Sequence, residues 1–316
     1  MDQSAIFGGP LAAEPVKPPT RHFAGFWRRA FAFVVDGILI SIPSFLLGYV
    51  FYDFFSSSSA WAAVVGFAIT LPYFAIMGSS VGNGQTLGQR WAGIEVVDGQ
   101  GNHLPKGKSA LRYAVLLIPF LFGEEVLPSY LAWLTGMAGA TIFYLYLFNT
   151  PTRRTLHDLA TGSFVVETPG IGTIDGRRVW PGHWAILGGL GVLGMVLTPV
   201  LTRTGPFPEL LAVQRAILDS GKYRSVSVML QTVNPGSTTG LRLTVTCKNQ
   251  PKDYEKAGSE IVAIIEKTDP QAVKLDFISV DFREGFRVGL ATFSNAHRQN
   301  HSPQQWEEIQ SRTNQR

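Results

Sequence analysis

Long apolar runs, separated by short polar segments, dominate the first two thirds of the chain. The run Ala30–Tyr52 contains one charged residue, Asp36. As a helix rising 1.5 Å per residue, it is long enough to cross a hydrocarbon core of about 30 Å. Further apolar runs lie at 60–77, 127–148 and 184–201. This pattern predicts several membrane-spanning helices.

The apolar run 111–148 is too long for a single crossing, because one helix of that length would measure about 57 Å. The polar segment around Glu124, Glu125 and Pro128 is expected to form a turn that divides it. The first part, 110–122, either crosses the membrane or enters it and returns. The predicted fold is therefore an all-α polytopic bundle of about five passes, or four passes plus a re-entrant hairpin.

After residue 204 the pattern changes to short alternating segments, which is typical of half-buried strands. The predicted order is α-β-β-α-β-β, a small α+β domain with an antiparallel sheet. Its turns are expected at Asn234-Pro235-Gly236 and at Glu284-Gly285. The predicted organisation is a tail at 1–20, a membrane domain at 21–168, a linker with the last transmembrane helix at 169–204, the α+β domain at 205–295 and a polar, frayed tail at 296–316.

Charge placement predicts the orientation of the bundle. Only 16% of the 316 residues are charged, which is low for a soluble protein, and the net charge is +4. Before residue 200 the basic residues fall in the tail and in alternate loops, whereas the other loops carry only acidic residues. By the positive-inside rule the basic loops are cytoplasmic, which places the N-terminus inside and the C-terminal domain outside. The basic residues are Lys17, Arg21, Arg28, Arg29, Arg90, Lys106, Lys108, Arg112, Arg153, Arg154, Arg177 and Arg178.

Asp36 is the sharpest chemical signal in the sequence. It lies about two turns into the first span, where a carboxylate costs about 2.5–3.5 kcal/mol on insertion scales. Arg29 lies seven residues earlier, on the same helical face. Three interpretations stay open: a structural ion pair with Arg29, a site for transport or proton handling, and a carboxylate shallow enough to reach interfacial water. Because Arg29 and Asp36 lie on one face two turns apart, the sequence predicts that the loss of either charge destabilises the other.

A second charged segment follows the fourth predicted crossing. His157 and Asp158 either form a pair that titrates near pH 7, or Asp158 caps a short interfacial helix. Arg153 and Arg154 are expected to anchor the loop on the cytoplasmic side.

The sequence contains no motif for a catalytic or metal centre. HExxH, GxSxG and CxxC are absent, the six histidines lack metal-ligand spacing, and one cysteine, Cys247, excludes an intramolecular disulfide. The glycine-rich loop 82–90 lacks a phosphate-binding signature and is read as a compact surface turn. We therefore expect no enzymatic activity, no cofactor and no metal. We also expect no nucleic-acid partner, because the basic loops carry no interleaved aromatic residues.

Residues 21–167 resemble the RDD family of bacterial membrane proteins through three segments in order: 24–36, 84–98 and 154–166. The resemblance implies that the naming arginine and aspartates are Arg29, Asp36 and Asp158. Four further residues of these segments are expected to support them: Arg28, Arg90, Arg154 and His157. One departure is Thr161-Gly162-Ser163, where the family usually has Ala-Gly-Thr. The resemblance implies a multi-pass protein of the bacterial inner membrane.

Two functions stay open on the sequence. The family has been suggested to transport substrates or ions, and here Asp36 would exchange a proton or cation, with a homo-oligomer completing the path. Alternatively, the bundle is an anchor or scaffold whose extracytoplasmic α+β domain binds a protein partner. In both cases the bundle is in contact with the lipid bilayer.

Overall fold

The structure is a computed structural model that describes residues 21–314, except 124–125, 171–172, 177, 205, 234–237 and 249. The predicted tail at 1–20 lies outside the described residues. So do Glu124 and Glu125 and the predicted turn at Asn234-Pro235-Gly236.

The first part of the chain is mainly helical, with two short strands. Its helices are α1 (Phe26–Val50), α2 (Tyr52–Ser57), α3 (Ser59–Met77), α4 (Leu87–Ala92), α5 (Lys106–Leu121), α6 (Ser129–Phe148), α7 (Leu156–Thr161) and α8 (Pro181–Leu201), and its strands are β1 (Ile94–Val97) and β2 (Phe164–Glu167).

Four of these helices are long and apolar enough to cross a membrane: Phe26–Val50, Ser59–Met77, Tyr130–Phe148 and Pro181–Leu201. They coincide with the apolar runs that predicted them. The predicted division of run 111–148 is also confirmed, since α5 ends at Leu121 and α6 begins at Ser129. The apolar helices indicate a membrane lipid environment.

The expectation of an all-α bundle is wrong, because β1 and β2 pair as an antiparallel ribbon within it. Each strand follows a short helix that ends at a glycine with positive φ, namely Gly93 (64°) after α4 and Gly162 (68°) after α7. Glycine tolerates this left-handed conformation, which stops the helix and redirects the chain. Two helix–glycine–strand units therefore meet through their strands.

The C-terminal part is an α+β domain in the predicted order. It consists of α9 (Phe207–Asp219), β3 (Tyr223–Val233), β4 (Thr238–Cys247), α10 (Tyr254–Thr268), β5 (Phe277–Val288), β6 (Ala291–His301) and α11 (Pro303–Asn314). The strand order is β3-β4-β5-β6. The sheet is mixed and not fully antiparallel, because β4 and β5 run parallel. The crossover helix α10 returns the chain to the same end of the sheet, as parallel pairing requires.

The domain core lies between one face of the sheet and helices α9, α10 and α11. Its fully buried side chains include Ile217, Leu243, Val245, Ile261, Ile265, Val280, Phe282 and Trp306. The predicted polar tail from residue 296 is wrong, because β6 and α11 belong to the domain. Trp306 is 0% exposed and donates its indole N–H to Ile278 O at 3.0 Å, so one aromatic residue anchors an otherwise polar segment.

The predicted turn at Glu284-Gly285 is also wrong, because both residues lie inside β5. The β5–β6 hairpin turns at Gly289 and Leu290 instead. Its end extends beyond the domain, and Phe286 and Val288 form an apolar cluster with Phe55 and Ala62 of α2 and α3. The two parts of the chain are therefore packed together through this hairpin.

Candidate functional site

One buried charged centre surrounds Asp158, which is 0% exposed at the start of α7. Its Oδ2 accepts hydrogen bonds from the Thr155 amide at 3.1 Å and from the Thr155 hydroxyl at 3.2 Å. This capping box satisfies donors that the first turn of a helix leaves free. The predicted capping role of Asp158 is confirmed.

Two buried guanidinium groups neutralise Asp158. Arg112 of α5 donates to Oδ1 through Nε at 3.0 Å and through Nη2 at 2.7 Å. Arg29 of α1 lies with Nη1 3.5 Å from Oδ2. Arg29 also donates to the carbonyls of Arg153 at 2.7 Å and Val165 at 3.3 Å. The centre thus links α1, α5, α7 and β2. The guanidinium of Arg29 is stabilised by these two carbonyl oxygens as well as by the Asp158 carboxylate.

His157 and Asp158 do not titrate near pH 7, which corrects that alternative. Burial lowers the pKa of His157 to about 3, and this outweighs the opposing effect of the Asp158 carboxylate. Burial alone would raise the pKa of Asp158, but His157 and the guanidinium groups of Arg112 and Arg29 hold it below its usual range. Near neutral pH the imidazole is therefore neutral and the carboxylate is charged.

A second buried centre surrounds Asp36, which is 2% exposed. Its Oδ1 accepts from the Tyr73 hydroxyl at 2.7 Å and from the Gly88 amide at 2.8 Å. Its Oδ2 accepts from the Thr86 hydroxyl at 2.5 Å. Thr86 and Gln89 form the capping box of α4, so the carboxylate lies against the N-terminal turn of that helix. These donors are uncharged.

The glycine-rich loop before α4 allows this close approach. A methyl group at Gly88 would lie 2.1 Å from Ala32 O and 2.9 Å from Asp36 Cγ. A side chain at this position would therefore push α4 away from α1. This contact gives the loop a packing role, in agreement with its interpretation as a compact turn.

The predicted pairing of Arg29 with Asp36 is wrong. Arg29 lies against α7 and β2 and contacts Asp158, whereas Asp36 receives its hydrogen bonds from α3 and the start of α4. Spacing along α1 correctly places both residues on its buried face. However, different elements pack against the two turns, and each charge is satisfied by its own neighbours.

Helix α5 connects the two centres. The backbone N–H of Gln89 donates to Thr86 Oγ1 at 3.2 Å, and Nε2 of its side chain donates to the Tyr113 hydroxyl at 3.5 Å. The Arg112 guanidinium lies 4.8 Å from the centroid of the Tyr113 ring. The sequence pattern presents Arg112 only as one of the basic residues that orient the bundle. Its position beyond Lys106 and Lys108, inside the apolar part of α5, is the feature that could have identified it.

The supporting arginines stay outside the two centres. Arg28 forms a half-exposed pair with Glu167 at 3.6 Å, and Arg90 donates to Gly82 O at 3.2 Å. Arg154 donates to Ser163 O at 3.2 Å and lies 4.3 Å from the centroid of the Phe164 ring. These contacts fix loops and strand ends.

Among the described residues, no group of three or more histidine, cysteine, aspartate or glutamate side chains could hold a metal ion. Cys247 is buried in the core of the α+β domain, and burial raises the pKa of its thiol to about 12. The thiol is therefore protonated and unreactive at neutral pH.

The helices define a polytopic membrane domain with two internal carboxylate centres. Residues 23–162, which cover most of this domain, match the model of the RDD family. The matched region contains Asp36 and Asp158 together with Arg29 and Arg112. The chain is also similar to the uncharacterised protein YxaI of Bacillus subtilis (strain 168), with 24% identity over 116 residues, covering 30% of this chain and 76% of the relative. No solved structure matches the chain.

Proposed function

We propose that the RDD domain is a membrane anchor that holds the α+β domain on the extracytoplasmic face of the bacterial cell membrane. The observation that carries this proposal is the closure of both carboxylate centres by the protein itself. Asp158 and Asp36 are 0% and 2% exposed, and internal donors occupy their oxygens. Such groups fix the packing of helices, which is the role that an anchor requires.

The orientation is supported by the distribution of charge. Arg29, Arg112 and Asp158 meet at one end of the bundle, whereas α2 and the α+β domain lie at the other. With the basic end in the cytoplasm, α5 and α6 run out and back as a pair of crossings. This arrangement has five crossings.

The test of the anchor function uses purified protein in proteoliposomes and Asp36→Asn, which keeps the shape of the side chain but removes its charge. We expect wild type and variant to show the same ion and solute flux as empty vesicles. In native membranes, the α+β domain of both should cross-link to the same protein partner. Asp36-dependent flux would overturn the anchor function.

One observation favours transport as a second candidate. The donors to Asp36 are two hydroxyl groups and one amide, so the carboxylate could exchange a proton without breaking an ion pair. Transport predicts that Asp36→Asn abolishes flux, while Asp53→Asn in the first turn of α2 leaves it unchanged. Equal flux in the two variants would contradict this candidate.

A further inference from the structure

The end of the β5–β6 hairpin lies inside the membrane bundle, and we call residues 286–293 the inserted hairpin. Phe286 and Val288 contact α2 and α3, and Leu290 packs among side chains of α1, α3 and α5. The inserted hairpin enters from the end of the bundle that carries α2. A segment of the C-terminal domain therefore occupies space between helices of the RDD domain.

Glycine residues on two helices make room for the inserted hairpin. A methyl group at Gly66 would lie 1.9 Å from Gly289 N, and one at Gly48 would lie 2.1 Å from the Phe286 ring. The first contact is backbone against backbone, so no side-chain rotation could relieve it. The surfaces of α1 and α3 are therefore shaped to this hairpin, and not merely covered by it.

The tip of the inserted hairpin reaches the neighbourhood of Asp36. Leu290 packs against a cluster that includes Ile40 and Tyr113, and its Cδ1 lies 3.9 Å from the Cβ position of Gly37, the residue after Asp36. Gly37 lies 13 residues from the end of α1 at Val50, which is about 20 Å along the helix. The apolar tip thus reaches, from the α2 end of the bundle, the level of Gly37, one residue beyond Asp36 in the sequence.

Two buried hydroxyl groups lie next to Gly289, at the turn of the inserted hairpin. Thr70 Oγ1 and Ser44 Oγ lie 3.1 Å and 3.3 Å from the Cβ position of Gly289. Thr70 donates to Gly66 O at 2.7 Å, whereas Ser44 Oγ has no hydrogen-bond partner among the described residues. A buried hydroxyl without a partner is unfavourable, and water could satisfy it if the hairpin withdrew.

We propose that the inserted hairpin is a plug that closes the route from the α2 end of the bundle to the Asp36 centre. This goes beyond the anchor function, because it makes the C-terminal domain a regulator of access to the interior of the RDD domain. The closure consists of apolar packing by Leu290 and Phe286 and of backbone contact at Gly289. Withdrawal of the hairpin would leave a slot lined by Ser44, Thr70 and glycine.

The position of the plug is tested by cross-linking in native membranes. In a Cys247→Ala background, Ser44→Cys with Gly289→Cys should form an intramolecular disulfide on mild oxidation. The matched control is Ser44→Cys with Ser302→Cys, since Ser302 directly follows the end of β6 that lies away from the turn. We expect at least tenfold faster cross-linking of the first pair. Equal rates would overturn the proposal.

The closure itself is tested with a buried reporter, Ile40→Cys, in open membranes exposed to a membrane-impermeant maleimide. Replacing residues 286–293 with Asn-Gly joins the paired residues Gly285 and Ser294 by a short turn. We expect the reporter to react at least tenfold faster in the shortened chain than in the full chain. Equal rates would show that the helices close the route without the hairpin.

Leu145→Cys on α6, also buried, controls for unfolding and should stay unreactive in both chains. If it reacts in the shortened chain, the comparison is made with Leu290→Ala, which removes only the side chain at the tip. That variant should raise the labelling rate of Ile40→Cys at least twofold with Leu145→Cys still protected. A rate equal to that of the wild-type hairpin would then overturn the proposal.

Discussion

At the scale of single residues, the Asp158 centre is held by opposite charges with almost no access to water. Asp158→Asn would leave the guanidinium groups of Arg112 and Arg29 close together without their carboxylate. We expect it to lower the free energy of unfolding by about 3–5 kcal/mol, because uncompensated buried charges are strongly unfavourable. The measurement is denaturant unfolding of the detergent-solubilised protein.

A surface ion pair provides the matched control for this prediction. In the exposed ion pair, Lys222 Nζ lies 2.6 Å from Glu260 Oε2. Glu260→Gln breaks this pair and should lower the free energy of unfolding by about 0–1 kcal/mol. The double variant Arg112→Met with Asp158→Asn should lose less free energy of unfolding than the two single variants lose together. A loss equal to the sum of the two single losses would mean that the residues are not coupled.

His157 predicts a dependence of stability on pH. Its pKa is about 3 in the folded protein and near 6.5 when unfolded, so the folded state favours the neutral imidazole. Its contribution is complete above pH 6.5 and is lost as pH falls towards 3, by at most about 1.4 kcal/mol per pH unit. Unfolding measured between pH 7 and pH 5 should therefore show decreasing stability.

His157→Asn should reduce that decrease, because asparagine carries no proton equilibrium in this range. An unaltered pH profile in His157→Asn would mean that other groups set the acid sensitivity of the protein.

The sequence predicted which residues of α1 are important but not how they pair. Periodicity shows that Arg29 and Asp36 share a face, and burial confirms it. Periodicity cannot show which neighbouring element meets each turn, because α4 and α7 are positioned by contacts between distant parts of the chain. For the same reason, periodicity does not show that Arg112 is closer to Asp158 than Arg29 is.

At the scale of elements, the bundle depends on close contact between backbones. Gly66→Ala should lower the free energy of unfolding by more than about 1 kcal/mol, because its methyl group would overlap Gly289 N. Gly136→Ala on α6 is the control, since nothing lies within 4 Å of its Cβ position. There we expect no loss, or a gain of up to about 1 kcal/mol. Equal effects would argue against tight seating of the hairpin.

Helices and strands with strong periodicity were predictable, whereas strand ends were not. Gly285 suggested a turn, but it lies in β5 with a φ of 147°, where a methyl group would be 1.9 Å from Phe293 O. Glycine is needed there for close approach between strands and not for reversal of the chain. The pattern after residue 295 predicts a tail because Trp306 supplies most of the apolar surface of the otherwise polar helix α11.

At the scale of the whole molecule, the anchor proposal requires a defined sidedness. In a Cys247→Ala background, Lys252→Cys on the α+β domain should react with an impermeant maleimide in intact spheroplasts. Gln100→Cys, in the exposed turn after β1, should react only after lysis. This follows from the cytoplasmic position of the basic loops. The opposite labelling pattern would reverse the orientation.

The sequence predicts a change from long apolar runs to alternating strands after residue 204, but it does not indicate that the two parts of the chain interlock. Each domain has its own pattern of apolar positions, and these patterns report only local structure. Gly66 and Gly289 are in contact but far apart in the sequence, so no pattern of apolar positions within either segment predicts the contact. Family resemblance also could not supply it, because the matched region ends at residue 162.

The insertion of β5 and β6 between α1 and α3 has a consequence for biogenesis. Ribosomal synthesis delivers α1 and α3 to the bilayer long before residues 277–301 exist, so the helices stay incompletely packed until about the last eighth of the polypeptide is made. A nascent chain interrupted before β5 would expose the glycine surfaces of both helices. Quality-control proteases of the membrane should therefore degrade such truncated products faster than the finished protein.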